Sequence, residues 1–124
     1  MIYTMTLNPS IDYIVRVDAL EIGSVNRMNS DAKFPGGKGI NVSRILKRID
    51  AKSTALGFLG GLTGKFIEDC LNEEEISTDF TAIQSDTRIN IKLKAGEETE
   101  INGQGPVLTD EEISQLKASL AKVQ

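Results

Sequence analysis

The sequence predicts an α/β fold, and three observations predict it. Ile2 to Leu7 alternates branched and aromatic residues with Thr and Met and stops at Asn8-Pro9, the pattern of a buried strand that ends in a turn. A glycine-rich run, Gly36-Gly37-Lys38-Gly39, opens a stretch in which Val42, Ile45, Leu46 and Ile49 recur with helical spacing, a stripe expected to be buried. Lys52 to Leu59 then reads as a second strand, Gly60-Gly61 as a turn and Thr63 to Asn72 as a second helix. Strand, helix, strand and helix in succession imply right-handed crossovers onto a parallel sheet.

The remaining elements follow in order. Ile11 to Val17 resumes strand-like alternation, with Asp12 and Arg16 breaking the apolar run. Glu21 to Phe34 is polar and rich in turn formers, too poor in apolar surface for a core element, and is expected to form paired strands of a small sheet off the main body. Thr78 to Ile83 alternates, and Arg88 to Lys94 alternates strictly, with Ile89, Ile91 and Leu93 on one face and Arg88, Asn90, Lys92 and Lys94 on the other. Ala95-Gly96-Glu97-Glu98 makes a hairpin turn and Thr99 to Asn102 the returning strand. Thr109-Asp110-Glu111-Glu112 is a capping box ahead of Ile113, Leu116, Leu120 and Val123, an amphipathic last helix.

Composition narrows the chemistry. A chain of 124 residues with 40% apolar and 26% charged residues suits one modest globular domain. A net charge of −4 without a basic stripe argues against nucleic acid as a partner. The absence of histidine removes Ser-His-Asp and Cys-His catalysis and most transition-metal sites. Cys70 is the single cysteine, so it forms no internal disulfide; it shares a helical face with Phe66, Ile67 and Leu71 and reads as a small core residue. No apolar run reaches the length of a membrane span, and no cationic segment leads into a signal-peptide core. A cytoplasmic protein with no membrane association is expected.

The chemistry centres on the glycine run. Three glycines in four positions at a helix start let a ligand approach the main chain, whose amides favour an anion or a polyhydroxylated molecule. Lys38 adds a cationic donor and Asn41 a two-sided amide. A tight turn between strand and helix would use the same residues. Two phosphate-loop templates fail: a Walker A loop would need Gly where Ala32 stands and Ser or Thr where Gly39 stands, and the dinucleotide fingerprint would need Gly at Val42.

The run Gly36-Gly37-Lys38-Gly39-Ile40-Asn41-Val42-Ser43, with the later Gly57-Phe58-Leu59-Gly60-Gly61-Leu62-Thr63-Gly64, resembles the first signature of the ribokinase-like (PfkB) carbohydrate kinases. Thr6-Leu7-Asn8-Pro9-Ser10-Ile11-Asp12, Asp86-Thr87-Arg88-Ile89-Asn90 and Asn102-Gly103-Gln104-Gly105-Pro106 fall in the family's order, so the resemblance covers essentially the whole chain. It is strongest to members acting on phosphorylated ketoses such as fructose 1-phosphate and tagatose 6-phosphate.

The resemblance implies the N-terminal part of a three-layer α/β/α fold, with a small β-sheet lid formed around residues 11–34 and 88–101. It implies ATP-dependent phosphoryl transfer to a sugar phosphate, with Mg2+. Asp12, Gly37 and Asn41 would bind sugar hydroxyls, with Gly36 in the same loop. Arg27, Lys38 and Arg88 would surround the phosphate the sugar already carries, and Asn90 would add a polar contact. By default Asp12 is a solvated turn residue and Arg27 a surface charge, and the resemblance is what raises them above that. It also implies that the ATP-binding and catalytic portion lies outside residues 1–124, so that this chain alone is inactive and contains no catalytic residue. Exposed lid edges pair readily between chains, so the alternative to a kinase part is a phosphosugar-binding or dimerisation module without catalysis, with the lid as the edge through which a homodimer would form.

Overall fold

A computed structural model of the chain describes residues 1–123. Its elements are β1 (Ile2–Thr6), β2 (Ser10–Arg16), β3 (Ser30–Gly36), α1 (Lys38–Arg48), β4 (Ser53–Gly60), α2 (Gly61–Glu73), β5 (Ser77–Ile83), β6 (Arg88–Ala95), β7 (Glu97–Ile101) and α3 (Asp110–Ala121). They build two sheets. The core sheet is parallel with order β1-β4-β5, and the second has order β3-β2-β6-β7, with β2 and β6 parallel and the outer pairs antiparallel.

The alternation of β4 divides the core into two halves. Leu59 joins Ile40 of α1 and Ile67 and Leu71 of α2 in one cluster, while Phe58 joins Ile83 and Leu116 of α3 in another. Helices therefore cover both faces of the sheet, and the three-layer α/β/α arrangement expected from the sequence is present. Ile11 of β2 belongs to the first cluster, which seats the lid sheet on the α1/α2 side.

Four local expectations are corrected. The stripe Val42, Ile45 and Ile49 is not buried: these residues are 47%, 57% and 68% exposed, and α1 turns Ile40 and Ser43 inward instead. The cause is a hydroxyl cluster. Ser43 Oγ is 2.6 Å from Thr4 Oγ1 and accepts from Ser53 Oγ at 2.9 Å, so polar groups satisfied by one another fill the helix–sheet interface. β1 is not buried along its length, because it is the edge of the core sheet and Ile2 and Tyr3 are exposed. Residues 21–34 contribute one strand rather than a pair, since β3 pairs with β2 and the segment before it is irregular. Cys70 is only half-buried; burial and the nearby Glu73 and Glu74 carboxylates push its thiol pKa up, opposed by Arg44, which keeps it the inert thiol the sequence suggested.

The capping box of α3 is present: Thr109 Oγ1 accepts from the Glu112 amide at 3.1 Å and Glu112 Oε1 accepts from the Thr109 amide at 2.9 Å. Glu112 Oε2 also accepts from the Gln84 amide at 2.8 Å, which ties the helix to the end of β5. The Thr109 and Gln84 amides hold the Glu112 carboxyl below the usual glutamate range, with burial opposing them. A depressed folded-state pKa gives stability that is present above the unfolded pKa and lost as pH falls. Acidification below roughly pH 4 should therefore lower the thermal midpoint of the wild type more steeply than that of Glu112→Gln. Parallel acid limbs would show that this carboxylate does not contribute.

Candidate functional site

The site forms where the carboxyl end of β1, the start of β2, the end of β3 and the start of α1 meet. Ligands bind at the carboxyl ends of strands in α/β folds because helix starts and loops converge there. α1 lies directly on the end of β1: a Cβ at Gly39 would stand 2.5 Å from the Met5 carbonyl oxygen, and the Ile40 amide donates to Thr6 Oγ1 at 3.0 Å. Gly37, the N-cap of α1, holds φ 126 and ψ 143 with no side-chain cap, a backbone conformation open essentially to glycine alone. With Thr6 taking the Ile40 amide, Lys38 and Gly39 remain as first-turn donors for a ligand. No acidic residue stands in that turn, whereas Lys47 and Arg48 close the other end. The first turn of α1 thus supplies no counter-charge of its own to the positive end of the helix dipole.

The lid sheet brings the polar residues to this point through its register. Ser10 is paired with Gly36 on one side and Arg88 on the other, and Asp12 with Phe34 and Asn90. Side chains of paired residues leave a sheet on the same face, so Ser10, Asp12, Arg88 and Asn90 form one patch. Ser10 Oγ donates to Asp12 Oδ1 at 2.8 Å, which leaves Asp12 Oδ2 to accept from a ligand. The Asp12 carboxylate lies against Gly36, where any Cβ would collide with it.

Arg88 and Asn90 are not the solvent-facing residues that strand alternation alone suggests. Arg88 Nη2 donates to the Asn8 carbonyl at 3.1 Å and Nη1 to the Gly103 carbonyl at 3.4 Å, while Asn90 Oδ1 accepts from the Gly103 amide at 3.0 Å. Asn8 and Gly103 are therefore part of the site's frame. Sequence reasoning assigned them no role, although both stand in segments that carry the family resemblance. Thr6 and Thr87 were missed as well. Thr87 Oγ1 accepts from the Gly60 amide and the Thr87 amide donates to the Gly60 carbonyl, both at 3.0 Å, so the start of β6 is locked to the end of β4.

Asn41 follows Gly37 by one turn, its amide donating to the Gly37 carbonyl at 2.9 Å, and its side chain is exposed. Lys38 is exposed in the first turn. Arg27 is exposed in the irregular segment before β3, and no hydrogen bond carries it to the other candidate residues. The ion pairs among the described residues join Lys33 to Asp31, Arg44 to Glu74, Lys47 to Glu75 and Lys65 to Asp69. Arg27, Lys38 and Arg88 are uncommitted to any of these carboxylates. No cluster of three or more acidic, cysteine or histidine side chains suited to a metal ion occurs among the described residues, and none of their helices is long and apolar enough to cross a membrane.

The chain is 57% identical to 1-phosphofructokinase from Bacillus subtilis over all of this chain and 40% of that protein. It is 39% identical to tagatose-6-phosphate kinase from Staphylococcus epidermidis, over 99% of this chain and 40% of the relative. The fold superposes on Escherichia coli phosphofructokinase-2, solved with fructose-6-phosphate, with a TM-score of 0.90 and 28% identity over 99% of this chain and 42% of that one. The chain thus spans about 40% of the length of the curated relatives it matches. The match to the pfkB family of carbohydrate kinases runs over residues 5–124, and with the ribokinase-like three-layer core and the glycine-run site already described, the chain belongs to that family.

Proposed function

We propose that this chain carries the sugar-phosphate-binding part of an ATP-dependent kinase that converts fructose 1-phosphate to fructose 1,6-bisphosphate. The observation that carries this reading is the single patch of Asp12, Arg88 and Asn90 set against an uncapped helix start, with Lys38 and Arg88 uncommitted to any carboxylate. An aspartate accepts from hydroxyls, and arginines and a helix start bind phosphate. Charge-assisted bonds worth roughly 1.5–3 kcal/mol each suffice to select a phosphorylated sugar over a free one.

Phosphoryl transfer needs an acceptor hydroxyl fixed in line, a base beside it and neutralisation of the moving charge. This chain's residues address the first. Asp12 Oδ2, the Gly36-Gly37 main chain and Asn41 hold the hydroxyls, and Lys38, Arg88 and Arg27 hold the phosphate already present. ATP and Mg2+ are the phosphoryl donor and its companion ion. Their binding groups, like the general base, are assigned to no residue of this chain, and we infer that the chain by itself does not turn over. A cytoplasmic location agrees with these ligands.

Tagatose 6-phosphate is the alternative substrate, since 39% identity to a tagatose-6-phosphate kinase accompanies the higher similarity to 1-phosphofructokinase. A non-catalytic phosphosugar-binding or dimerisation role is favoured by the lid, where Ile22 and Val25 are 88% and 86% exposed and β3 and β7 are open edges. Assay of the complete polypeptide carrying these residues against fructose 1-phosphate, tagatose 6-phosphate and fructose 6-phosphate should give the highest kcat/KM for the first. Preference for either of the others would overturn the substrate assignment. Sedimentation of the same sample should give a dimer mass, and a monomer would remove the lid-pairing role.

A further inference from the structure

β7 leaves the lid ladder at Ile101, whose partner is Ile91. Beyond that point side chains of β6 take over from the main-chain ladder. Asn90 Oδ1 accepts from the Gly103 amide at 3.0 Å, and Arg88 Nη1 donates to the Gly103 carbonyl at 3.4 Å. Both polar groups of one residue are thus held by two alternate side chains on one face of one strand. Gly103 has no room for anything larger: a Cβ there would stand 2.7 Å from the Ile89 carbonyl oxygen and 3.0 Å from Arg88 Cβ.

The other hand of the Arg88 guanidinium reaches the Asn8 carbonyl at 3.1 Å. Its Nε is buried and has no hydrogen-bond partner among the described residues. A buried donor without a partner calls for an explanation. Arginine has five N–H donors in a rigid fork, and two carbonyl contacts leave donors over. An anion that took the remaining Nη donors would find the fork already held at two points, so little side-chain freedom remained to be lost on binding.

We propose that Asn90 is a positioning residue rather than a sugar contact: it fixes Gly103, and the carbonyls of Gly103 and Asn8 fix the Arg88 guanidinium for the phosphate of the bound sugar. This rests on the phosphosugar reading above. The Oδ1 of Asn90 is occupied by the Gly103 amide and the Gly103 carbonyl takes the Arg88 Nη1 donor, so the path from Asn90 to Arg88 is one of direct contact at every step. Gly103 is itself assigned no contact with the sugar, so its substitution perturbs the link between Asn90 and Arg88 while leaving both side chains in place.

The test measures binding of inorganic phosphate and of fructose 1-phosphate to the complete polypeptide by calorimetry, for wild type, Asn90→Ala, Gly103→Ala and the double variant. A positioning role predicts that each single variant weakens both ligands by the same factor, about tenfold, and that the double variant is no weaker than either single one, because both break one chain of contacts. Weakening of fructose 1-phosphate by Asn90→Ala with phosphate affinity unchanged would overturn the proposal, since it would make Asn90 a sugar contact. So would variants indistinguishable from a wild type that binds both ligands. A wild type that binds neither ligand would overturn the phosphosugar reading itself. If Gly103→Ala does not fold, Asn90→Ala measured against inorganic phosphate decides alone.

Discussion

Arg88→Ala is expected to raise the KM for the phosphosugar in the complete polypeptide, leave the KM for ATP nearly unchanged and cost about 1.5–3 kcal/mol in kcat/KM, roughly 10- to 150-fold. A solvated strand arginine would give no more than about 0.5 kcal/mol in stability and no kinetic effect. The structure separates these cases further. Arg88 donates to the carbonyls of Asn8 and Gly103, joining the turn after β1 to the segment after β7, so its removal also costs about 1 kcal/mol of stability for the shorter of those bonds. Arg88→Lys keeps the charge but cannot span two carbonyls and present a fork to phosphate; it should recover part of the stability and little of the KM. Kinetics of Arg88→Ala indistinguishable from wild type would remove the phosphate pocket from this face of the lid, and with it most of the argument for a phosphosugar.

The elements were legible wherever one local rule decided them. Alternation marked β5 and β6, the glycine run marked the start of α1, and Thr109 with Glu112 marked the start of α3. What was not legible was which face of α1 turns inward. Hydropathy counts Val42, Ile45 and Ile49 as the core stripe and cannot see that Thr4, Ser43 and Ser53 satisfy one another and can be buried together. A helical period establishes that an apolar stripe exists, while tertiary contacts decide what covers it.

The site divides along the same line. The glycine run was readable because its chemistry lies within one short segment, whereas Asp12 reads locally as a solvated turn residue and was singled out only by the resemblance. The hydrogen bonds of Arg88 and Asn90 could not be read locally, because their partners Asn8 and Gly103 lie 80, 15 and 13 positions away in the chain. No spacing rule reaches that far. Parallel pairing of β2 with β6 is equally invisible locally, and it is this register that sets Asp12 beside Asn90.

Gly36 and Gly37 are adjacent, and alanine at the two positions should fail in different ways. Gly37 holds φ 126, and a Cβ there would collide with the Thr6 Cγ2 methyl on the neighbouring strand. Strain of about 1–3 kcal/mol for the backbone and about 1–3 kcal/mol for overpacking together predict a loss of about 2–6 kcal/mol for Gly37→Ala, visible as a lower denaturant midpoint. Gly36 has no positive φ, and the atoms its Cβ would meet are the carboxylate end of Asp12, a flexible group able to swing aside. Gly36→Ala should therefore unfold within about 1 kcal/mol of wild type, yet bind fructose 1-phosphate far more weakly, because the displaced carboxylate no longer meets the sugar hydroxyls. Equal midpoints for Gly37→Ala and wild type would contradict the backbone account of the helix start. Full sugar affinity in Gly36→Ala would take Asp12 out of the site, since that substitution moves the carboxylate and leaves Gly37, the helix start and the Arg88 clamp where they are.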